Sequence, residues 1–157
     1  MPINTHFRSH RVGSLRAQHV GERVRLAGWV HRRRDLGGLI FIDLRDRSGR
    51  VQLSFGPDFT PPDIFERTRR LGNEWVIMVE GDVAARPPAN INTELATGAV
   101  EVHVRDLVIL NESQPPAIPV AVSPGDELPA EELRLRYRYL DLRRDDLQRA
   151  LELRHKA

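Results

Sequence analysis

The chain has no cysteine and one lysine among 157 residues. Without cysteine there are no disulfides and no cysteine-bearing zinc knuckle, and a reducing cytoplasm is the compartment such a composition fits. Also missing is an apolar run near the roughly 20 residues that span a bilayer, so no membrane partner is expected. The N-terminal stretch MPINTHFRSHRVGSL lacks the continuous apolar segment of a secretory signal. The Asn111-Glu112-Ser113 triplet, which matches a glycosylation acceptor, therefore has no secretory context. Catalytic signatures are absent as well: there is no G-x-S-x-G, no G-x-G-x-x-G and no P-loop. His6, His10, His19, His31, His103 and His155 are scattered without metal-ligand spacing. No catalytic residue, no metal site and no cofactor is expected in this chain.

What is present is 40% apolar and 29% charged residues, the balance of a soluble globular protein. The net charge of +2 conceals an uneven distribution. Residues 1–56 hold eleven arginines against Glu22, Asp35, Asp43 and Asp46, a surplus of seven, which leaves the remainder with an excess of five negative charges. With Lys156 the only lysine, the positive charge is almost wholly guanidinium. Guanidinium forks grip phosphates and stack on bases, so a basic half rich in arginine points to a polyanionic partner. Evenly solvated charge in an arginine-rich proteome is the plainer alternative.

Apolar residues alternate along Arg23–Arg34, where Val24, Leu26, Gly28 and Val30 share a side, predicting a bent strand. After a turn at Asp35-Leu36-Gly37-Gly38, a second strand over Leu39–Asp46 places Ile40, Ile42 and Leu44 together. Arg47-Ser48-Gly49 closes a hairpin into a third strand, with Val51, Leu53 and Phe55 in alternation. Thr60-Pro61-Pro62-Asp63 then reads as a helix start, with Thr60 as N-cap, Pro61 first in the helix and Asp63 as capping-box partner. Gly72 is placed to end that helix. A fourth strand is expected over Trp75–Ala85, a Pro- and Asn-rich loop over Arg86–Gly98, and a fifth strand from Val100 with a bulge past Asp106.

Three strands, a short helix and two strands is the element order of a mainly β, five-stranded Greek-key OB-fold barrel, whose second and third strands and flanking loops bind oligonucleotides. An SH3-like barrel is the rival fold, and the helix between strands three and four argues against it. The expected organisation is a barrel over 1–111, a proline-rich linker over 112–128 containing Pro115, Pro116, Pro119 and Pro124, and a helical segment over 129–157. In that segment a run over Ala130–Arg138 precedes a helix over about Asp145–His155, with Leu147, Ala150, Leu151 and Arg154 on one stripe.

Strand parity selects candidate binding residues. If Ile40, Ile42 and Leu44 fill the barrel, then Leu39, Phe41, Asp43 and Arg45 face out, and by the same rule so do Gln52 and Ser54. Phe41 is then an exposed ring for base stacking, and Gln52 an amide with both a donor and an acceptor for a base edge. If the register slips by one residue, Phe41 belongs to the core instead. Arg32, Arg33 and Arg34 end the first strand beside this face, although three consecutive arginines cannot all point one way. Asn90 and Asn92 lie in the loop between strands four and five, and Glu101 projects opposite Val100, Val102 and Val104.

The stretches Gly28–Gln52 (GWVHRRRDLGGLIFIDLRDRSGRVQ), Asn90–Val102 (NINTELATGAVEV) and Arg134–Arg144 (RLRYRYLDLRR) together resemble the anticodon-binding domain of bacterial-type aspartyl-tRNA synthetases, which are class II enzymes. Lysyl- and asparaginyl-tRNA synthetases share the barrel, while RRRDLGGLIFIDLRDR and LATG favour the aspartyl family. The resemblance implies that Phe41 stacks on the central anticodon base and that Gln52 reads that uridine. It implies anticodon contacts for Arg34, Arg86, Asn90 and Glu101, although the loop here (ARPPANIN) carries prolines where relatives have charges. It further implies aspartate tRNA as partner, leaving open asparagine tRNA, and a hinge at Arg134–Arg144. A catalytic domain using ATP and magnesium, in a homodimeric cytoplasmic aspartate–tRNA ligase, would lie outside this chain. A generic single-stranded nucleic-acid binder and a protein-interaction module docking through the last helix are the competing readings.

Overall fold

The computed structural model describes residues 7–120, 122 and 125–157. His6 and Pro124, both noted in the sequence, lie outside the described residues. The chain divides into a unit ending at Ser113 and a second over Gln114–Ala157. Among the described residues no helix is long and apolar enough to cross a membrane.

The first unit is a closed five-stranded barrel of β1 (Arg23–Asp35), β2 (Ile40–Asp46), β3 (Gly49–Phe55), β4 (Val76–Ala85) and β5 (Val100–Asn111). In space the strands run β1-β2-β3-β5-β4, with β3 and β5 parallel and every other pair antiparallel. This is the expected OB topology. Alternation builds the core: Leu26, Ile40, Ile42, Leu44, Leu53 and Phe55 are fully buried, as are Val100, Val102 and Val104. The turn between β1 and β2 is made by Gly37 and Gly38 at positive φ, and the Asp35 carboxylate accepts the Gly37 N–H at 3.1 Å.

Two irregularities decide which side chains face outward. On β5 the pairing steps from Gly81↔Val104 to Glu80↔Asp106, so Arg105 is extra and the apolar phase moves to Leu107; the bulge expected past Asp106 lies just before it. On β1 the pairing steps from Val30↔Leu44 to Arg32↔Asp43, leaving His31 as an extra residue that the sequence pattern did not show. Before this bulge, even-numbered residues face the core. After it, Arg32 and Arg34 pair with the outward Asp43 and Phe41, and Arg33 pairs with the inward Ile42.

Helix α1 (Pro62–Thr68) starts differently from the expectation. Its N-cap is Pro61 and no side chain caps it. Thr60 is buried, donates its hydroxyl to the Val104 carbonyl at 2.7 Å and accepts the Gly56 N–H at 3.3 Å. A hydroxyl committed to a core strand cannot also cap a helix. The helix ends at Thr68, four residues before Gly72, and its Ile64 joins the core.

The second unit holds α2 (Glu131–Arg136), α3 (Arg138–Asp141) and α4 (Asp145–Lys156). The single helical run expected over Ala130–Arg138 is broken at Tyr137, whose φ of −105° and ψ of 44° leave the helical region. Beyond the break the buried Asp141 gathers Arg134, Arg138 and Arg144 at 3.2, 3.0 and 3.4 Å. Leu151 on the α4 stripe is exposed.

Candidate nucleic-acid interface

The outer face of β2, β3 and β5 carries two cross-strand rows. One runs Arg34–Phe41–Ser54–His103, the other Arg32–Asp43–Gln52–Glu101. The first row carries the rings of Phe41 and His103, and every member of the second is polar or charged. Phe41 is half-buried and faces away from the core, as parity required. Ser54 also faces away but is only 2% exposed, and its hydroxyl has no hydrogen-bond partner. A short side chain set between the bulkier Phe41 and His103 accounts for that burial. Phe59 stacks on the His103 ring at 4.2 Å with an interplanar angle of 10°.

Asp43, Gln52 and Glu101 of the polar row form a connected network with Arg34 and His103 from the ends of the first. Arg34 donates through Nη2 to Asp43 Oδ1 at 2.8 Å and to Gln52 Oε1 at 3.2 Å. Gln52 Nε2 donates to Glu101 Oε2 at 2.8 Å, and the other Glu101 oxygen lies 3.0 Å from His103 Nε2. Arg34 reaches this network because the bulge at His31 turns it outward. Three of the residues singled out in the sequence (Arg34, Gln52 and Glu101) are thus brought into direct contact, with Phe41 beside them.

Arg86 and Asn90 form a separate pair in the loop between β4 and β5. Asn90 ends a 3-10 turn over Pro88–Asn90, is exposed, and its carbonyl accepts from Arg86 Nη1 at 3.3 Å. Burial holds the Arg86 guanidinium below its ordinary pKa, while the Glu101 and Asp43 carboxylates pull the other way. These carboxylates place Arg86 within electrostatic reach of the polar row.

At the far end of the face, Arg45 forms a bidentate pair with Glu74, both contacts at 2.9 Å. Arg45 Nη1 also lies 3.0 Å from His31 Nδ1, and Arg50 Nη1 lies 3.0 Å from His31 Nε2. Burial, reinforced by Arg50 and Arg45, lowers the His31 pKa to about 4. Parity already placed Asp43 and Arg45 on this face. His31 was not legible, because its bulge falls where apolar residues give way to arginines, and His103 would have followed from its position two residues past Glu101. Away from the face, His10, His19 and Glu22 bring donor atoms within 4.8 Å of one another, a proximity their sequence spacing had not suggested. There His10 Nε2 lies 3.7 Å from Glu22, and His19 Nδ1 accepts the Arg16 N–H at 2.9 Å.

Residues 24–110 match the tRNA anticodon family model of OB-fold nucleic acid binding domains. Over 152 residues the chain is 50% identical to the aspartate–tRNA(Asp/Asn) ligase of Rubrobacter xylanophilus, covering 96% of this chain and 24% of that protein. It is 48% identical over 150 residues to the aspartate–tRNA ligase of Halalkalibacterium halodurans, with the same coverage. The chain spans about a quarter of the length of these curated relatives. Among solved structures, asparaginyl-tRNA synthetase from Pyrococcus horikoshii superposes with a TM-score of 0.69 at 30% identity, covering 85% of this chain and 29% of that one. With 87 of its 157 residues matched and its barrel closed in the OB order, the chain belongs to the tRNA anticodon family of OB-fold nucleic acid binding domains.

Proposed function

We propose that this domain reads the anticodon loop of a tRNA on behalf of an aspartate–tRNA ligase. The observation that carries the reading is the pairing of an outward ring and an outward amide on adjacent strands. Phe41 offers a stacking surface, and Gln52 stands one row away with its amide oriented between Arg34 and Glu101. Stacking on an aromatic supplies sequence-tolerant affinity, and a fixed amide supplies selectivity at a base edge. In this reading Phe41 stacks on the central anticodon base and Gln52 reads it as uridine. Arg34 contacts the anticodon from the same face, and Arg86, Asn90 and Glu101 contact the flanking bases. The proposed setting is a cytoplasmic, homodimeric aspartate–tRNA ligase with ATP and magnesium at a separate catalytic domain; of this, the relatives' names support the ligase alone. This chain contributes recognition and no catalysis, so aspartate-dependent ATP–pyrophosphate exchange by the chain alone stays at background.

One relative is named for both aspartate and asparagine tRNA and another for aspartate tRNA only, so both substrates belong in the test. The experiment is binding to stem-loops that differ only in the anticodon, at fixed salt, with oligo-dT as competitor. Anticodon reading requires a preference for one or both cognate loops. Equal affinity for oligo-dT of the same length would make the domain a generic single-strand binder and end this reading.

A further inference from the structure

Arg45, His31 and Arg50 form a cluster whose hydrogen bonding does not close. A neutral imidazole has one acceptor nitrogen, and a guanidinium has donors only. Yet a guanidinium nitrogen stands 3.0 Å from each ring nitrogen of His31. One of the two contacts is therefore donor against donor. Arg45 is the fixed member: its Nη1 has two protons, one donated to Glu74 and one available to His31 Nδ1. That assigns the ring proton to Nε2, where it meets the Nη1 of Arg50. Among the described residues, no carboxylate lies within ion-pair distance of Arg50. Its backbone is nonetheless held, since Thr97 donates to the Arg50 carbonyl.

Two sets of N–H bonds, from Arg50 and from His31 Nε2, thus converge with no acceptor between them. Arg50 lies two residues before Gln52 on β3 and opposite Arg45 on β2, on the outward face that holds Gln52. We propose that Arg50 and His31 form a phosphate-binding site that grips the backbone of the RNA whose bases the Phe41–Gln52 surface reads. This rests on the anticodon-reading proposal above and adds its backbone anchor. A phosphate oxygen is the acceptor that satisfies both donors at once, and the guanidinium fork suits its geometry. The neutral ring matters here. With Nδ1 accepting from Arg45, Nε2–H is left as a donor toward the phosphate, and no third positive charge has to be buried.

The test is the salt dependence of binding. The full chain, Arg50→Gln, Arg50→Lys and Arg70→Gln are titrated with a cognate anticodon stem-loop across a potassium chloride series. Arg70 is exposed in the turn after α1 and controls for loss of a charge anywhere. Removing one phosphate contact lowers the slope of log affinity against log salt by about 0.7–0.9. That drop is expected in Arg50→Gln and not in Arg70→Gln, while Arg50→Lys keeps the slope and binds several-fold more weakly. Single methylphosphonates placed around the loop then locate the contact: one position weakens the native chain and adds nothing to Arg50→Gln. An unchanged slope in Arg50→Gln, with anticodon preference intact, overturns the phosphate site alone. An equal drop in Arg70→Gln overturns it too, because the effect is then net charge. Absence of any stem-loop binding at low salt sinks this site and the anticodon reading together.

Discussion

Gln52 Nε2 donates to Glu101 Oε2 at 2.8 Å across the parallel pairing of β3 with β5. A glutamine amide can present either end, and here Glu101 selects the amine end while Arg34 occupies the carbonyl end at 3.2 Å. The second N–H and the second carbonyl lone pair are left for a base, in a fixed order. Glu101→Gln removes the selection, because an amide at 101 accepts or donates equally well. Discrimination between stem-loops differing at the central base should fall about tenfold, about 1.4 kcal/mol, with a smaller loss of affinity for the preferred loop. The ratio of the two dissociation constants is the measurement, and an unchanged ratio would mean that Glu101 does not orient the reader.

Phe41 is half-buried between Arg34 and Ser54 on the outer row, outside the core cluster. Truncation to alanine should therefore cost binding more than folding. Loss of one base stack predicts weaker stem-loop affinity by about 1–3 kcal/mol, and oligo-dT binding, if measurable, should weaken in parallel. Thermal unfolding of the variant should stay near that of the native domain. Native affinity in Phe41→Ala would remove stacking from the account.

Much of the barrel was legible because period-two alternation runs unbroken through β2 and β3: Ile40/Ile42/Leu44 and Val51/Leu53/Phe55 are buried as the pattern requires. The bulge at Arg105 was legible too, since the apolar phase visibly shifts from Val104 to Leu107. The bulge at His31 was not. It falls where apolar residues give way to arginines, so no phase remains to read, yet it turns Arg34 outward. The Thr60 cap failed for a different reason: a capping motif is local, and the long-range bond to Val104 takes the same hydroxyl. Phe41 and Gln52 followed from parity, whereas Arg34, Arg86, Asn90 and Glu101 as anticodon contacts followed from resemblance.

Gly28 sits where β1 passes close to β2. A Cβ there would stand 2.3 Å from the Arg45 carbonyl oxygen and 3.1 Å from its carbon. Backbone cannot give way as a side chain tip can, so the two strands must separate locally. Gly28→Ala should destabilise the domain by about 1–3 kcal/mol, read as a lower denaturant midpoint with an unchanged slope. A native midpoint would show that the strands yield more easily than their spacing implies.

His31 gives the domain a pH dependence of known sign. Its folded pKa of about 4 lies below the ordinary 6.5, because burial and two guanidinium groups disfavour the imidazolium. As pH falls below 6.5 the unfolded chain takes up this proton first. The associated stability is complete above 6.5 and is lost as pH drops toward 4. The shift alone sets a ceiling of about 3 kcal/mol, and solvent screening of a half-buried ring reduces this to the order of 1–2 kcal/mol. Between pH 6.5 and 4.5 the unfolding free energy of the native chain should fall more steeply than that of His31→Asn. Parallel profiles would show that His31 titrates normally.

Among the described residues Glu74 is the non-glycine residue at positive φ, 66°, and it faces Arg45 with both oxygens 2.9 Å from the guanidinium. A left-handed conformation costs a side-chain-bearing residue about 1–2 kcal/mol. The Glu74 N–H donates to the Val30 carbonyl at 2.7 Å, which fixes the turn at the point where β1 bulges. Glu74→Ala keeps the unfavourable backbone and leaves Arg45, itself mostly buried, without its carboxylate. Breaking a buried pair from one side typically costs about 3–5 kcal/mol, so this variant should lose more stability than Gly28→Ala. Glu74→Gly separates the two contributions: it relieves the backbone yet still strands Arg45, and should recover about 1 kcal/mol relative to alanine. Equal stability of the alanine and glycine variants would mean that the backbone at 74 relaxes once the side chain is gone. The Arg45 contact would then be what holds the turn in the left-handed region.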